Sequence, residues 1–177
     1  DKLNYFYLAL LLKDKNLNFI EAKYNDFSNR EVSENKIGDA KDKSVGRGGA
    51  FGDLDNDGDI DVVISNNNSS ANLLIRSGTP DSNWIGFLLV GVESNKDAIG
   101  ARVTIQTEDL KQTKFVNTAG SYLASNDKRI LFGLRNYSNL EMITIDWPNG
   151  GADTYLNLQA NQYYQITEKG PVSVLDY

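Results

Sequence analysis

Five aspartates fall at alternate positions in FGDLDNDGDIDVV, residues 51–63: Asp53, Asp55, Asp57, Asp59 and Asp61. Carboxylates this close repel one another, so an ordered loop needs an offsetting charge. Asp53, Asp55, Asp57 and Asp61 occupy positions 1, 3, 5 and 9 of a D-x-D-x-D-G-x-x-D pattern. In a tight loop, alternate residues can turn their oxygens to a common centre, and Gly58 permits the sharp backbone turn after the third ligand. Asp59, at position 7, would offer its main-chain carbonyl and leave its carboxylate to solvent. Asp61 would close the cage as the chain enters VVIS. Calcium takes six to eight oxygens at about 2.3–2.6 Å, which this set and water can supply. An EF-hand would need a glutamate at position 12 and flanking helices. Position 12 is Ile64, inside a strand-like run. The plain alternative is a solvated acidic turn; four aspartates at this spacing, with the glycine in place, favour an ion.

Composition narrows the chemistry further. The 177 residues contain no cysteine and no histidine. Disulfides, thiol catalysis, Ser-His-Asp triads and histidine-ligated zinc are therefore excluded, and any metal is held mainly by oxygen, as calcium or magnesium is. Twenty-four Asp and Glu against 18 Lys and Arg, with no long basic run, argue against nucleic acid and anionic membranes as partners. The apolar stretch Tyr5–Leu12 is too short to span a bilayer and lacks the flanks of a signal peptide. The abrupt start suggests a piece of a longer chain.

The elements that would position the loop are strands. Runs rich in branched and aromatic residues recur between Asn, Asp and Gly: Tyr5–Leu12, Leu17–Tyr24, Ile60–Ser65, Asn72–Arg76, Ile85–Val92, Arg102–Thr107, Lys114–Thr118, Arg129–Leu134, Glu141–Trp147, Thr154–Leu158 and Tyr163–Glu168. In RVTIQT, Val103 and Ile105 alternate with Arg102, Thr104 and Gln106. In EMITIDW, Ile143, Ile145 and Trp147 alternate with Met142, Thr144 and Asp146. This period of two fits sheets with one buried face. KDKN (13–16) and PNGG (148–151) read as hairpin turns, the latter on its Asn-Gly. Residues 25–45 read as a long polar loop, and the polar stretch 77–83 as a boundary.

GRGGAFGDLDNDGDIDVVISNNNSSANLLIRS (46–77) resembles an FG-GAP/VCBS repeat, the blade unit of integrin-type β-propellers, in which the calcium loop joins the first two strands. The resemblance implies a first strand ending at Gly48–Phe51, a second at Ile60–Ser65 and a third at Asn72–Arg76. It makes LNYFYLAL and LNFIEA the last strands of a preceding blade. Residues 1–80 then cover roughly one and a half blades, where a propeller takes about four or more. Residues 83–170 resemble the ASPIC/UnbV domain that follows such repeats in secreted proteins such as the cartilage acidic protein family. The matching stretches are NWIGFLLVG, SNKDAIGARVTI, AGSYLASNDKRILFGL, ITIDWPNG and LQANQYYQITEKG. GLRNYSN (133–139) departs where the family more often has a second glycine near Arg135.

The expected fold is all-β: incomplete propeller-blade-like antiparallel strands with a calcium loop (1–80), a β-sandwich-like domain (81–170) and a C-terminal tail (171–177). Trp147, Tyr163 and Tyr164 are candidates for a ligand platform, though a ring beside a turn serves packing as well. Tyr163 and Tyr164 are adjacent, so one should be core and the other exposed. Trp84 should be core. Glu93, Asp97, Asp127, Glu141, Asp146 and Asp153 could pair as in a glycosidase, but no constellation singles out two of them. Sequons occur at Asn67, Asn68 and Asn136. The expected role is that of a calcium-binding extracellular, cell-surface or periplasmic module with a glycan or protein ligand. A non-binding spacer or cap of a larger propeller is the alternative, and a polysaccharide-acting enzyme domain the third. Asp57→Ala should lower calcium affinity and melting temperature together; equal melting curves in calcium and in chelator would contradict the loop reading.

Overall fold

The computed structural model describes residues 19–23, 45–67, 71–76 and 82–176. The candidate strand Tyr5–Leu12 and the KDKN turn lie outside these. The described chain is all-β, with no helix among the described residues and none long and apolar enough to cross a membrane. It divides into two compact units: Asp1–Gly78 with Ala119–Asp127, and Thr79–Thr118 with Lys128–Tyr177.

In the first unit, β1 (Phe19–Lys23), β2 (Gly46–Gly52), β3 (Asp61–Asn66) and β4 (Asn72–Arg76) form an antiparallel sheet of order β1-β4-β3-β2. β1 is therefore the outer strand of the sheet that carries the aspartate loop, and not part of a separate preceding blade. Ala50 and Val62 are buried, with Phe51, Val63 and Ile64 packed on them. Residues 119–127, which the sequence places within the C-terminal domain, return to this unit. Asp127 N–H donates to the Phe51 carbonyl (2.9 Å), and Phe51 N–H donates to Asn126 Oδ1 (3.0 Å). The free edge of β2 is thereby covered at Phe51, a common way of blunting a sheet edge. A Cβ on Gly52 would meet Asp127 Cβ at 3.0 Å, so the close approach favours glycine there.

The second unit has two four-stranded sheets. β10 (Ala152–Gln159), β9 (Asn139–Asp146), β6 (Arg102–Gln106) and β7 (Lys111–Phe115) form one. β12 (Val172–Val174), β11 (Tyr163–Thr167), β5 (Asn83–Val90) and β8 (Ile130–Arg135) form the other. Pairing is antiparallel except between β5 and β11. One core takes Ile85, Phe87 and Leu89 from β5, Val103 and Ile105 from β6, and Ile143 and Ile145 from β9. The two alternating runs read from the sequence thus bury the faces expected. The PNGG turn joins β9 to β10, with Gly150 at φ 92°. Arg135 sits at φ 54°, in the left-handed region that glycine occupies most easily. Two strands depart from expectation: β7 begins at Lys111, ahead of Lys114, and Val172–Val174 of the expected tail adds an edge strand to β11.

The candidate ligand platform is core. Trp147, Tyr163 and Tyr164 are only 4, 3 and 5 % exposed. Trp147 Nε1 donates to Asp153 Oδ2 (2.7 Å), so the indole is buried and satisfied. Tyr164 stacks on Phe87 with centroids 6.2 Å apart, and its hydroxyl accepts from Gln159 N–H. Tyr163 points the other way, as alternation requires, yet it is covered too. Gly86, its partner across the parallel pair, leaves room for its ring, and Trp84 and the Arg129 guanidinium lie against it, at 5.0 and 4.5 Å. Trp84 itself is half-buried.

A Cβ on Gly86 would fall 2.0 Å from Tyr163 Cε1, whereas Gly133 has nothing within 4 Å. Gly86→Ala should destabilise the second unit by about 1–3 kcal/mol or more, and Gly133→Ala should be close to neutral. Denaturant unfolding of the two variants checks this; equal midpoints would contradict the packing.

Candidate metal site

The loop is built where β2 ends and β3 begins. Gly52 and Asp61 are register partners, which brings the residue after Gly52, Asp53, close to the residue that opens β3. Asn56 (φ 63°) and Gly58 (φ 90°) reverse the chain between them. Asn is among the few non-glycine residues that accept this conformation readily. Gly58 thus has the role expected of it.

Backbone N–H groups hold the two buried carboxylates. Asp53 Oδ1 accepts from Asp57 N–H (3.1 Å) and Oδ2 from Gly58 N–H (2.9 Å). Asp61 Oδ2 accepts from Leu54 N–H (2.7 Å) and Oδ1 from Arg76 N–H (2.9 Å), tying the loop's start to the end of β4. Asp53 and Asp61 are each 1 % exposed; Asp55 is exposed. Asp53, Asp55 and Asp61 bring carboxylate oxygens within 4.8 Å of one another. Two oxygens bound to one calcium ion lie no more than about 5 Å apart, twice the calcium–oxygen distance. Each oxygen has two lone pairs, so one can accept an N–H while the other faces an ion.

The other two loop aspartates are placed differently. Asp57 Oδ1 accepts from Asp59 N–H (2.9 Å), bracing the turn. Asp59 does not leave its carboxylate to solvent: it is buried and ion-paired with Arg76 (2.6 Å). Arg76 was not identified from sequence. It is an arginine at a strand end, and only the sheet order β4-β3-β2 carries it to the loop.

Electrostatics follow the crowding. Burial pushes Asp61 up to about 7, beyond what its backbone hydrogen bonds recover, with Asp55 and Asp53 adding repulsion. Burial also raises Asp55, helped by Asp57 and Asp53. Elsewhere, four of the six acids available for glycosidase chemistry have other partners. Glu93 pairs with Lys169 (2.6 Å), Asp97 with Lys128, and Asp146 with Arg102 (2.9 Å). Asp153 accepts from Trp147 and from Lys169 N–H. Glu168, missed in the sequence, is buried. Burial would raise it, but N–H groups of Val92, Glu93 and Ser94 and the Ser94 hydroxyl outweigh this and hold it down to about 2. It is an anionic clamp for the turn after β5.

The Asp61 shift has a sign that can be tested without metal. The folded state keeps a proton that the unfolded chain, with an ordinary value of 3.8, releases from about pH 4 upward. This group's stabilisation is therefore present at low pH and lost as pH rises toward about 7, on the order of a few kcal/mol. In chelator, the first unit should melt at a lower temperature at pH 8 than at pH 5, and Asp61→Asn should flatten that slope. An unchanged slope in the variant would contradict the assignment.

Residues 91–172 match the protein-family model described as ASPIC and UnbV, and no curated protein matches the chain. The match begins beyond the aspartate loop, runs from the end of β5 to the start of β12, and includes the returning segment 119–127. An ASPIC/UnbV domain therefore occupies the C-terminal part of the chain.

Proposed function

We propose that the chain is an extracytoplasmic binding module, its ligand a glycan or a protein, in which one calcium ion sits among Asp53, Asp55 and Asp61. The observation that carries the reading is that three carboxylates, two of them buried, approach within 4.8 Å at a strand junction. A hard cation removes the repulsion that raises Asp61 and Asp55 and locks the β2–β3 turn. Its role is structural: the described core under this sheet is small, so a cation at the turn supplies stability that burial does not. Free calcium is plentiful outside cells, where a loop of moderate affinity would be filled.

The sheet order β1-β4-β3-β2, with the loop joining β2 and β3, supports the likeness to an FG-GAP/VCBS blade: a three-stranded meander completed on its outer side by a strand from earlier in the chain. A spacer or cap is the second reading. The covering of β2 at Phe51 by residues 119–127 favours it, because that segment caps the free edge of the sheet. Catalysis on polysaccharide has less support, since Glu93, Asp97, Asp146 and Asp153 are engaged with their own partners.

Asp55 separates binding from folding, being exposed while Asp53 and Asp61 anchor the loop. Calcium at about 100 times its Kd should stabilise the first unit by about 2.7 kcal/mol. Asp55→Asn should weaken calcium binding about tenfold or more, from the loss of one charged ligand, without lowering the melting temperature in chelator. Calorimetric titration and thermal scans measure both; a melting temperature indifferent to calcium would overturn the proposal.

A further inference from the structure

The first unit carries a second feature that the aspartate loop does not use. At the opposite end of the β2–β3 ladder a depression of about 580 Å³ is lined by Arg47, Ser65, Asn66, Asn67, Tyr122 and Leu123. Two backbone irregularities converge on it. The register passes from Gly46↔Asn66 to Gly48↔Ser65, so Arg47 is the extra residue of a β-bulge. Bulges bend a strand and re-aim a side chain, and they recur beside functional sites. Leu123 holds φ 49°, a conformation that bulky residues rarely adopt, at a tip where it is 79 % exposed; the neighbouring Tyr122 is 66 % exposed. Strain of this kind persists where the surroundings impose it and clusters at ligand sites.

The lining has the chemistry of a sugar site with an anionic preference. Tyr122 offers an exposed ring for the apolar face of a pyranose. Asn67, exposed at the end of the ladder, offers an amide, which both donates and accepts as sugar hydroxyls do. Among the described residues no carboxylate pairs with Arg47, in a chain of net charge −6. An arginine re-aimed into a groove fits a carboxylate in a fork geometry. We infer that this groove binds an acidic oligosaccharide, its uronate carboxylate on Arg47 and a ring on Tyr122. This names the ligand class for the binding-module reading and rests on it for the order of the sheet.

The test is an NMR titration of the 177-residue chain, produced in a host that adds no N-glycan to Asn67, with tetragalacturonate and with its neutral methyl ester. Calcium occupancy is measured in the same samples. Tetragalacturonate should shift the amides around Arg47, Asn66 and Tyr122 and bind about tenfold or more tightly than the ester, as expected when one charge-assisted contact is lost. Arg47→Gln should remove that preference, and Tyr122→Ala should weaken both ligands. No shifts at millimolar tetragalacturonate, shifts elsewhere, or equal binding of acid and ester by the unaltered chain would overturn the inference. Calcium binding without sugar binding refutes the groove alone; sugar binding in the groove without calcium binding upholds the groove and refutes the calcium reading.

Discussion

Like charges forced together at a strand junction govern the first unit. The β2–β3 register places Asp61 opposite Gly52, and burial of Asp53 and Asp61 removes the water that would screen them. Every nearby feature reduces the resulting repulsion. Four backbone N–H groups point at the two carboxylates, Arg76 neutralises Asp59, and Asp61 is pushed up to about 7. These devices make the loop foldable, but they leave three carboxylates within the reach of one ion. On the proposed reading, a cation completes what the N–H groups begin.

The two units meet the same problem of stability by different means. The second has a continuous core from two facing sheets, with Phe87 against Phe132 and Tyr164, and with Trp147 paired to Asp153 and Glu168 to three N–H groups. In the first, the described apolar core rests on Ala50 and Val62. Order there comes from hydrogen bonds to carboxylates and from the returning segment at Phe51 and Gly52. The ASPIC/UnbV match includes that segment, so part of the C-terminal domain's sequence serves the sheet ahead of it.

What the sequence disclosed was local. Alternation located the buried faces of β6 and β9, Asn-Gly located the β9–β10 turn, and the aspartate spacing with Gly58 located the loop. What it hid depends on partners distant in the chain. Both Tyr163 and Tyr164 are buried because Gly86, 77 positions before Tyr163, has no side chain, so strand alternation alone misjudged one of them. Asp59 is paired because sheet order, not spacing, brings Arg76 to it. β7 starts early because Lys111–Thr113 is polar, an edge strand held by pairing to β6 and not by burial. The return of residues 119–127 has no periodic signature at all. Arg135, at φ 54°, also left no local signal of its left-handed backbone.

The central claim is that a divalent cation lies among Asp53, Asp55 and Asp61. An anomalous difference map from crystals grown in calcium measures this directly. The account predicts a peak within about 2.6 Å of a carboxylate oxygen of all three; a map with no peak there, from crystals that hold millimolar calcium, would contradict it.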